Sequence, residues 1–353
     1  MGTRRRFLTA VAGALLAVRT LAAAKPKKKQ AGGAPPGNVP KGRYPVPDGA
    51  QVPSRPLGGT GVRVSIVGLG GYHLGIPSEV EALRIIHTAL DHGMNFLDNC
   101  WDYNGGESER RMGKALAGGY RQKAFVITKL DGRTAKSARD QLDQSLQRLK
   151  VTTIDLVQIH EVIRPDDPER TFAPGGTIEA LVAARKAGKL RFIGFTGHKD
   201  PDIHKHMLEV ARQHDFRFDT VQMPINVLDA HYRSFEREVL PVAQQDGVAV
   251  LGMKPLAAGL ILEAGAATAE ECLRYAMSVP GIATTITGCE SEGVLEQALF
   301  LAIGFQPMAD EERKALLART ATFARGGQWE KFKTTQMFDG TEQNKRWLSS
   351  AQI

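Results

Sequence analysis

The feature that most constrains this chain is a rhythm that begins after Gly59. A short apolar run rich in β-branched residues, a polar turn, and a longer stretch with apolar positions three and four apart recur eight times. The strand-like runs are Val64–Leu69, Asn95–Asp98, Phe125–Lys129, Asp155–His160, Phe192–Thr196, Thr220–Pro224, Ala249–Lys254 and Ala283–Thr287. The helical stretches lie near Glu79–His92, Glu107–Leu116, Ala135–Leu149, Thr177–Ala187, Pro201–His214, Ser234–Gln245, Ala269–Met277 and Ser291–Leu301. Such alternation implies a parallel sheet, because a strand can rejoin its neighbour in parallel only through a long crossover. Eight units predict an α/β fold of the closed (β/α)8 TIM-barrel kind rather than an open doubly wound sheet, which usually stops at about five to seven strands. Gly68-Leu69-Gly70-Gly71 is a weak dinucleotide fingerprint, since its sixth position is His73 and no helix is expected directly after it.

Charge locates the ends of this body. The 353 residues carry +8, yet the first 50 hold ten basic side chains and one acidic one, leaving the remaining 303 at −1. The body is therefore no polyanion binder, and no nucleic-acid partner is expected. The leader reads Thr3-Arg4-Arg5-Arg6-Phe7-Leu8, then an apolar run from Thr9 to Val18, then Ala22-Ala23-Ala24. This predicts a twin-arginine (Tat) signal peptide over 1–24, with the Tat export machinery as partner and a periplasmic or extracellular destination. Its apolar run is too short for a bilayer core of about 30 Å, so no stable membrane insertion is expected after cleavage. Residues 25–52, rich in Lys, Pro and Gly, read as a flexible linker. The barrel is expected over 53–325 and a C-terminal extension over 326–353. Trp329, Phe332, Phe338 and Trp347 in the extension suit either a cover over the barrel mouth or packing on its outside. Three cysteines, Cys100, Cys272 and Cys289, without any C-x-x-C spacing, suggest no disulfide framework, no metal and no iron–sulfur cluster. His92, His204, His206, His214 and His231 read as surface residues.

In a barrel of this kind, chemistry gathers at the C-terminal ends of the strands. Asp98 and Tyr103 follow the second strand run, Lys129 ends the third and His160 ends the fourth. Any one of them alone is better explained by packing or helix capping; together they converge on one mouth.

The segment Gly93-Met94-Asn95-Phe96-Leu97-Asp98-Asn99-Cys100-Trp101-Asp102-Tyr103-Asn104-Gly105-Gly106-Glu107-Ser108-Glu109 resembles the aldo-keto reductases, as do Ile127-Thr128-Lys129 and Asp155-Leu156-Val157-Gln158-Ile159-His160. The resemblance covers roughly residues 54–325. It implies a catalytic tetrad of Asp98, Tyr103, Lys129 and His160. Tyr103 would give a proton to the carbonyl oxygen as hydride reaches carbon, and Lys129 would lower the phenol's pKa. Asp98 would hold the ammonium, and His160 would orient the substrate oxygen. It also implies cofactor contacts from Gln222, from Thr196 and His198, from Met253, Lys254, Pro255 and Leu256, and from Gly288 and Ser291. His198 and Met253 depart from the residues common in relatives. Glu290 stands where relatives that use NADP often carry Arg, which leans toward NAD without deciding between NAD and NADP.

The expected activity is hydride transfer between a nicotinamide cofactor and a small carbonyl, alcohol or sugar substrate. Two other readings remain open. One is an exported enzyme that retains its nucleotide for redox-neutral sugar epimerisation or elimination. The other is a nucleotide-binding, redox-sensing module with slow chemistry.

Overall fold

The computed structural model describes residues 39–353. The leader over 1–24 and the first part of the expected linker lie outside the described residues. The rest of that linker does not hang free. Tyr44 is buried, donates to Glu270 and accepts from Gln297 Nε2 at 2.9 Å, while the backbone N–H of Gly42 donates to Glu296. The linker expectation thus runs too far: Lys, Pro and Gly dominate it, but one aromatic with two polar partners is enough to seat residues 39–52.

Eight parallel strands close into a barrel: β1 (Val67–Gly70), β2 (Phe96–Asp98), β3 (Phe125–Leu130), β4 (Ile154–Ile159), β5 (Leu190–Thr196), β6 (Thr220–Pro224), β7 (Ala249–Met253) and β8 (Ile282–Gly288). Closure is made by β8 against β1, with Thr285 opposite Val67 and Gly288 opposite Gly70. The (β/α)8 expectation is met. One strand boundary is corrected, because Val64–Leu69 is two elements. Arg63–Ser65 pairs antiparallel with Ser54–Pro56, and the chain then turns into β1. This hairpin plugs one end of the barrel: its Leu57 and Val64 join Phe96, Phe125, Ile127, Leu156, Leu251 and Ile286 in an interior cluster.

The helices that return the chain are α1 (Glu79–Asp91), α2 (Glu107–Ala115), α3 (Ala135–Leu149), α4 (Thr177–Lys186), α5 (Pro201–Gln213), α6 (Leu240–Gln245), α7 (Ala269–Ser278) and α8 (Glu292–Ile303). Caps explain their starts: Ser78, Thr134, Asp200, Thr268 and Ser291 each accept a backbone N–H with the side chain. The expected helix Ser234–Gln245 is broken in two at Val239, because Pro241 in the first turn of α6 has no N–H with which to continue the preceding turn, Phe235–Glu238. A single helical turn, Gly71–Leu74, follows β1 where no helix is expected. Helices α2 and α3 meet so closely at Gly113 that a Cβ there would stand 2.3 Å from the Arg148 carbonyl oxygen. His204 is also corrected. It is fully buried between the rings of Phe195 and Phe235, at 5.2 and 4.9 Å, as part of the face that α5 packs inward. No helix among the described residues is long and apolar enough to cross a membrane.

The C-terminal extension lies against the loops that follow β3, β4, β5 and β6, which resolves its placement in favour of the mouth. Leu348 O accepts from Arg133 N at 2.7 Å, and Glu161 accepts from Gly340 N at 2.8 Å and Thr341 N at 2.7 Å. Asp339 meets His198 at 3.0 Å and Lys199 at 2.7 Å. Deeper still, Lys333 is buried with Asp229 at 2.6 Å and Glu330 at 3.0 Å, and Asn226 Nδ2 donates to Glu330 at 3.2 Å.

Candidate active site

Strand β2 is three residues long and delivers Asp98 at its end, at the barrel mouth. The chain then makes a tight excursion in which Asn104, Gly105 and Gly106 all adopt left-handed backbone, with φ of 53°, 65° and 80°. For Asn104 this is a strained conformation, though Asn tolerates it better than most residues. The excursion is further fixed where Ser108 Oγ donates to Gly71 O at 2.6 Å. It turns Tyr103 back over the mouth, where its ring meets Tyr72 edge-on at 5.6 Å and His160 edge-on at 6.0 Å.

Lys129 reaches the same point from β3. Its ammonium lies 2.7 Å from Asp98 Oδ1, donates to Asn99 O at 2.7 Å and to the Tyr103 hydroxyl at 3.3 Å. Two of its N–H donors are thereby used, and Asp98 faces the ammonium as a close ion pair. The ion pair is almost wholly buried, with side chains 1% and 4% exposed. The structure therefore brings Asp98, Tyr103, Lys129 and His160 together.

One expectation about them is corrected. On balance the Tyr103 pKa is not lowered. Burial pushes the phenol well above its usual range, and the charges of Asp98, Asp102 and Glu161 together with the Cys100 thiol push it further. The physical reason is that burial, with these acids beside it, outweighs any help from the ammonium. The phenol is held protonated, which is the state a proton donor requires.

His160 hangs at the end of β4, where its N–H continues the sheet to Leu130 O at 2.8 Å. Its Nδ1 is 2.8 Å from Asp131 Oδ1 and 3.3 Å from Cys100 Sγ. Burial lowers its pKa, against the pull of Asp102 and Glu161. Burial raises Asp131 to about 7 and Asp102 to about 6. Asp102, Asp131 and Glu161 were not singled out from the sequence. Their only signal there is position, within a few residues of Tyr103, Lys129 and His160.

The residues expected to hold a nucleotide are spread around the rest of the mouth. Gln222 is the central residue of β6, not its end as the sequence suggests; it lies beside Met253, with Nε2 at 3.6 Å from its Sδ, and the buried Gln222 Oε1 has no hydrogen-bond partner. An orphaned acceptor of this kind suits the amide N–H of a nicotinamide. Thr196 Oγ1 also faces Met253 Sδ, at 4.0 Å. His198 is less available: it is buried, tied to Asp339, and held near pKa 4 chiefly by burial. Lys254 stands in left-handed backbone at φ 54°, and its ammonium lies 5.5 and 5.3 Å from the ring centres of Phe332 and Phe338 in the extension. Burial brings it down to about 8. Pro255 and Leu256 lead into a turn that keeps Ala257 and Ala258 left-handed. Gly288 lies beneath His73, whose Nδ1 would be 2.1 Å from a Cβ there. Ser291 caps α8 through Val294 N at 3.3 Å. Before it, Glu290 has a buried Oε2 without a partner, and burial raises the carboxyl to about 7.

Comparison with known proteins agrees with this geometry. Residues 66–270 match the family described as "Aldo/keto reductase family". An uncharacterized oxidoreductase of Bacillus subtilis is 30% identical over 226 residues, which cover 58% of this chain and 67% of that protein. L-galactose dehydrogenase of Arabidopsis thaliana is 30% identical over 226 residues, covering 60% and 67%. The solved structure of an aldo-keto reductase from Bacillus halodurans, in its holo form, superposes with a TM-score of 0.66 at 26% identity, covering 79% of this chain and 100% of that one.

Proposed function

This chain belongs to the aldo/keto reductase family, and from that premise we propose residue roles, a nucleotide preference and a destination. The coarse activity follows from membership: the protein is an NAD(P)-dependent oxidoreductase acting on small carbonyl substrates. A reduced nicotinamide, when bound, supplies the hydride. The chain's own residues do the rest. Tyr103 donates the proton to the carbonyl oxygen, His160 fixes that oxygen by a hydrogen bond, and Lys129, clamped by Asp98, keeps the phenol hydroxyl in place. The observation that carries this reading is the buried Asp98–Lys129–Tyr103 chain, with contacts of 2.7 and 3.3 Å.

The nucleotide is NAD(H). Glu290 directly precedes the cap of α8, and among the described residues no basic side chain pairs with it. Lys41 and Arg84, at the first residue of α8, are both held by Glu292 at 2.5 Å. A carboxylate here repels a ribose 2′-phosphate, whereas the neutral acid does not. Because burial raises Glu290 to about 7, the charge is present above that pH and lost below it. Dissociation constants measured by fluorescence titration should therefore favour NADH over NADPH at pH 8 and converge at pH 6, and Glu290→Gln should remove the pH dependence. A preference that is flat with pH, or that favours NADPH at pH 8, is the contrary result.

The leader completes the proposal. Arg4-Arg5-Arg6-Phe7-Leu8 and the apolar run behind it support export of the folded protein by the Tat route. Replacing Arg5 and Arg6 together by Lys should strand the protein in the cytoplasm on cell fractionation; unchanged export would remove this part of the reading.

A further inference from the structure

The Nδ1 side of His160 faces a second cluster. Cys100 Sγ lies 3.3 Å from Nδ1 and Asp102 Oδ1 lies 3.8 Å from it. Asp131 Oδ1 approaches the same atom to 2.8 Å. The ligand atoms of Cys100, Asp102 and His160 all fall within 4.8 Å of one another. Cys100 and Asp131 are fully buried, Asp102 is 5% exposed and His160 9%.

The charges here do not balance. Asp102 Oδ1 and Asp131 Oδ2 are buried without a hydrogen-bond partner. The Lys and Arg cations whose charges act on Asp102 and Asp131 each already face another acid: Lys129 is paired with Asp98, Arg133 with Asp167, and Arg164 with Asp167 and Glu342. Glu161 adds another carboxylate beside the cluster and is held by Gly340 and Thr341. Buried carboxylate oxygens left unpaired are costly, and a cation removes that cost.

We propose that Cys100, Asp102 and His160 bind a divalent transition metal of the zinc class, through Sγ, Oδ1 and Nδ1, with Asp131 completing the site. A thiolate, an imidazole and carboxylates suit zinc or cobalt(II) and not magnesium or calcium. Bonds of about 2.0–2.3 Å around such an ion place neighbouring ligand atoms about 3–4 Å apart, and the 3.3 and 3.8 Å separations from Nδ1 already lie there. Binding replaces the Cys100 thiol proton with the metal. No contiguous motif announces the site because its ligands come from three separate strand ends, which is why a search for C-x-x-C spacing passes over it.

The site bears on the reaction through the imidazole tautomer. A neutral ring that donates from Nδ1 to Asp131 keeps only a lone pair at Nε2 and cannot donate to a carbonyl oxygen. A ring ligated at Nδ1 carries its proton on Nε2 and can. The metal is thus a positioning element for His160. This consequence rests on the proposed role of His160, while the binding itself does not.

The test uses the full chain purified from zinc-supplemented cultures. Elemental analysis should find one zinc per chain that survives gel filtration. It should be lost in Cys100→Ser and in Asp102→Asn, while far-ultraviolet circular dichroism is retained. The cobalt(II)-substituted protein should show thiolate-to-cobalt absorption in the near ultraviolet, absent in Cys100→Ser. Purified protein with only trace metal and a cobalt(II) spectrum lacking the thiolate band overturns the proposal. So does zinc that stays stoichiometric in both variants, since the ion then sits elsewhere. If the variants fail to fold, the wild-type metal content and cobalt(II) spectrum decide it alone.

Discussion

Tyr103→Phe lowers the rate of carbonyl reduction by about 10²–10⁴-fold, the usual contribution of a positioned general acid. The change is confined to one atom. Phenylalanine keeps the ring that packs edge-on against Tyr72 and His160, so the mouth retains its shape. What disappears is the hydroxyl 3.3 Å from Lys129 Nζ, and the ammonium keeps Asp98 and Asn99 O as partners. Stability should fall by only about 1 kcal/mol, the ordinary net worth of a hydrogen bond. Single-turnover kinetics separate the chemical step from nucleotide binding, and the nucleotide dissociation constant should be unchanged. A variant as fast as the wild type would show that another group donates the proton. If the wild type itself turned over no carbonyl substrate, the protein would be a nucleotide-binding module.

Lys333→Met has the larger effect on stability. The ammonium it removes is, among the described residues, the sole cation paired with two buried carboxylates, Asp229 at 2.6 Å and Glu330 at 3.0 Å, and it also donates to Tyr232 O at 2.7 Å. Breaking a buried pair from one side costs about 3–5 kcal/mol, because the surviving charge has lost its partner. Part of that cost depends on pH. Burial raises Glu330 to about 7, so its favourable protonation is fully present below the usual carboxylate range and is lost as pH rises through about 7. Without the ammonium that raised value moves higher still, so the variant should lose more stability at pH 8 than at pH 6. Urea unfolding midpoints at the two values check this, and an equal, small loss at both would mean that the trio contributes little. Since Phe332, next in sequence, lies 5.5 Å from the Lys254 ammonium, loosening this anchor should also raise the Michaelis constant.

How much of this was legible in the sequence depends on range. Helix Ala135–Leu149 and strand Thr220–Pro224 have the boundaries that pattern alone assigns, because capping by Thr134 and the end of a β-branched run are local signals. The convergence of Asp98, Tyr103, Lys129 and His160 was legible for a related reason: once eight units are counted, strand ends must share a mouth. What could not be read are relations between distant residues. Val64 belongs to a hairpin that plugs the barrel rather than to β1, which only pairing with Ser54–Pro56 decides. His204 looks like a surface histidine until Phe195 and Phe235 enclose it. The direction of the Tyr103 shift is illegible in sequence because its largest cause is burial, followed by acids such as Asp98, Asp102 and Glu161 that only the fold gathers around the hydroxyl. The extension gave only scattered aromatics, since its anchors, Asp339 to His198 and Thr341 to Glu161, span more than a hundred residues.

Those anchors set an order of events during biosynthesis. The barrel's strands are complete by Gly288, but the ceiling of its mouth is supplied by Lys333, Asp339, Thr341 and Leu348. A ribosome must therefore release the chain through Leu348 before the cavity acquires its final outline. Until then, Asp229, Glu161 and His198 remain open to water, and a nascent or truncated chain displays an unfinished catalytic face. Under the export route proposed above, a chain lacking residues 333–348 would reach the membrane with its mouth unfinished, so the seating of this segment would act as a checkpoint.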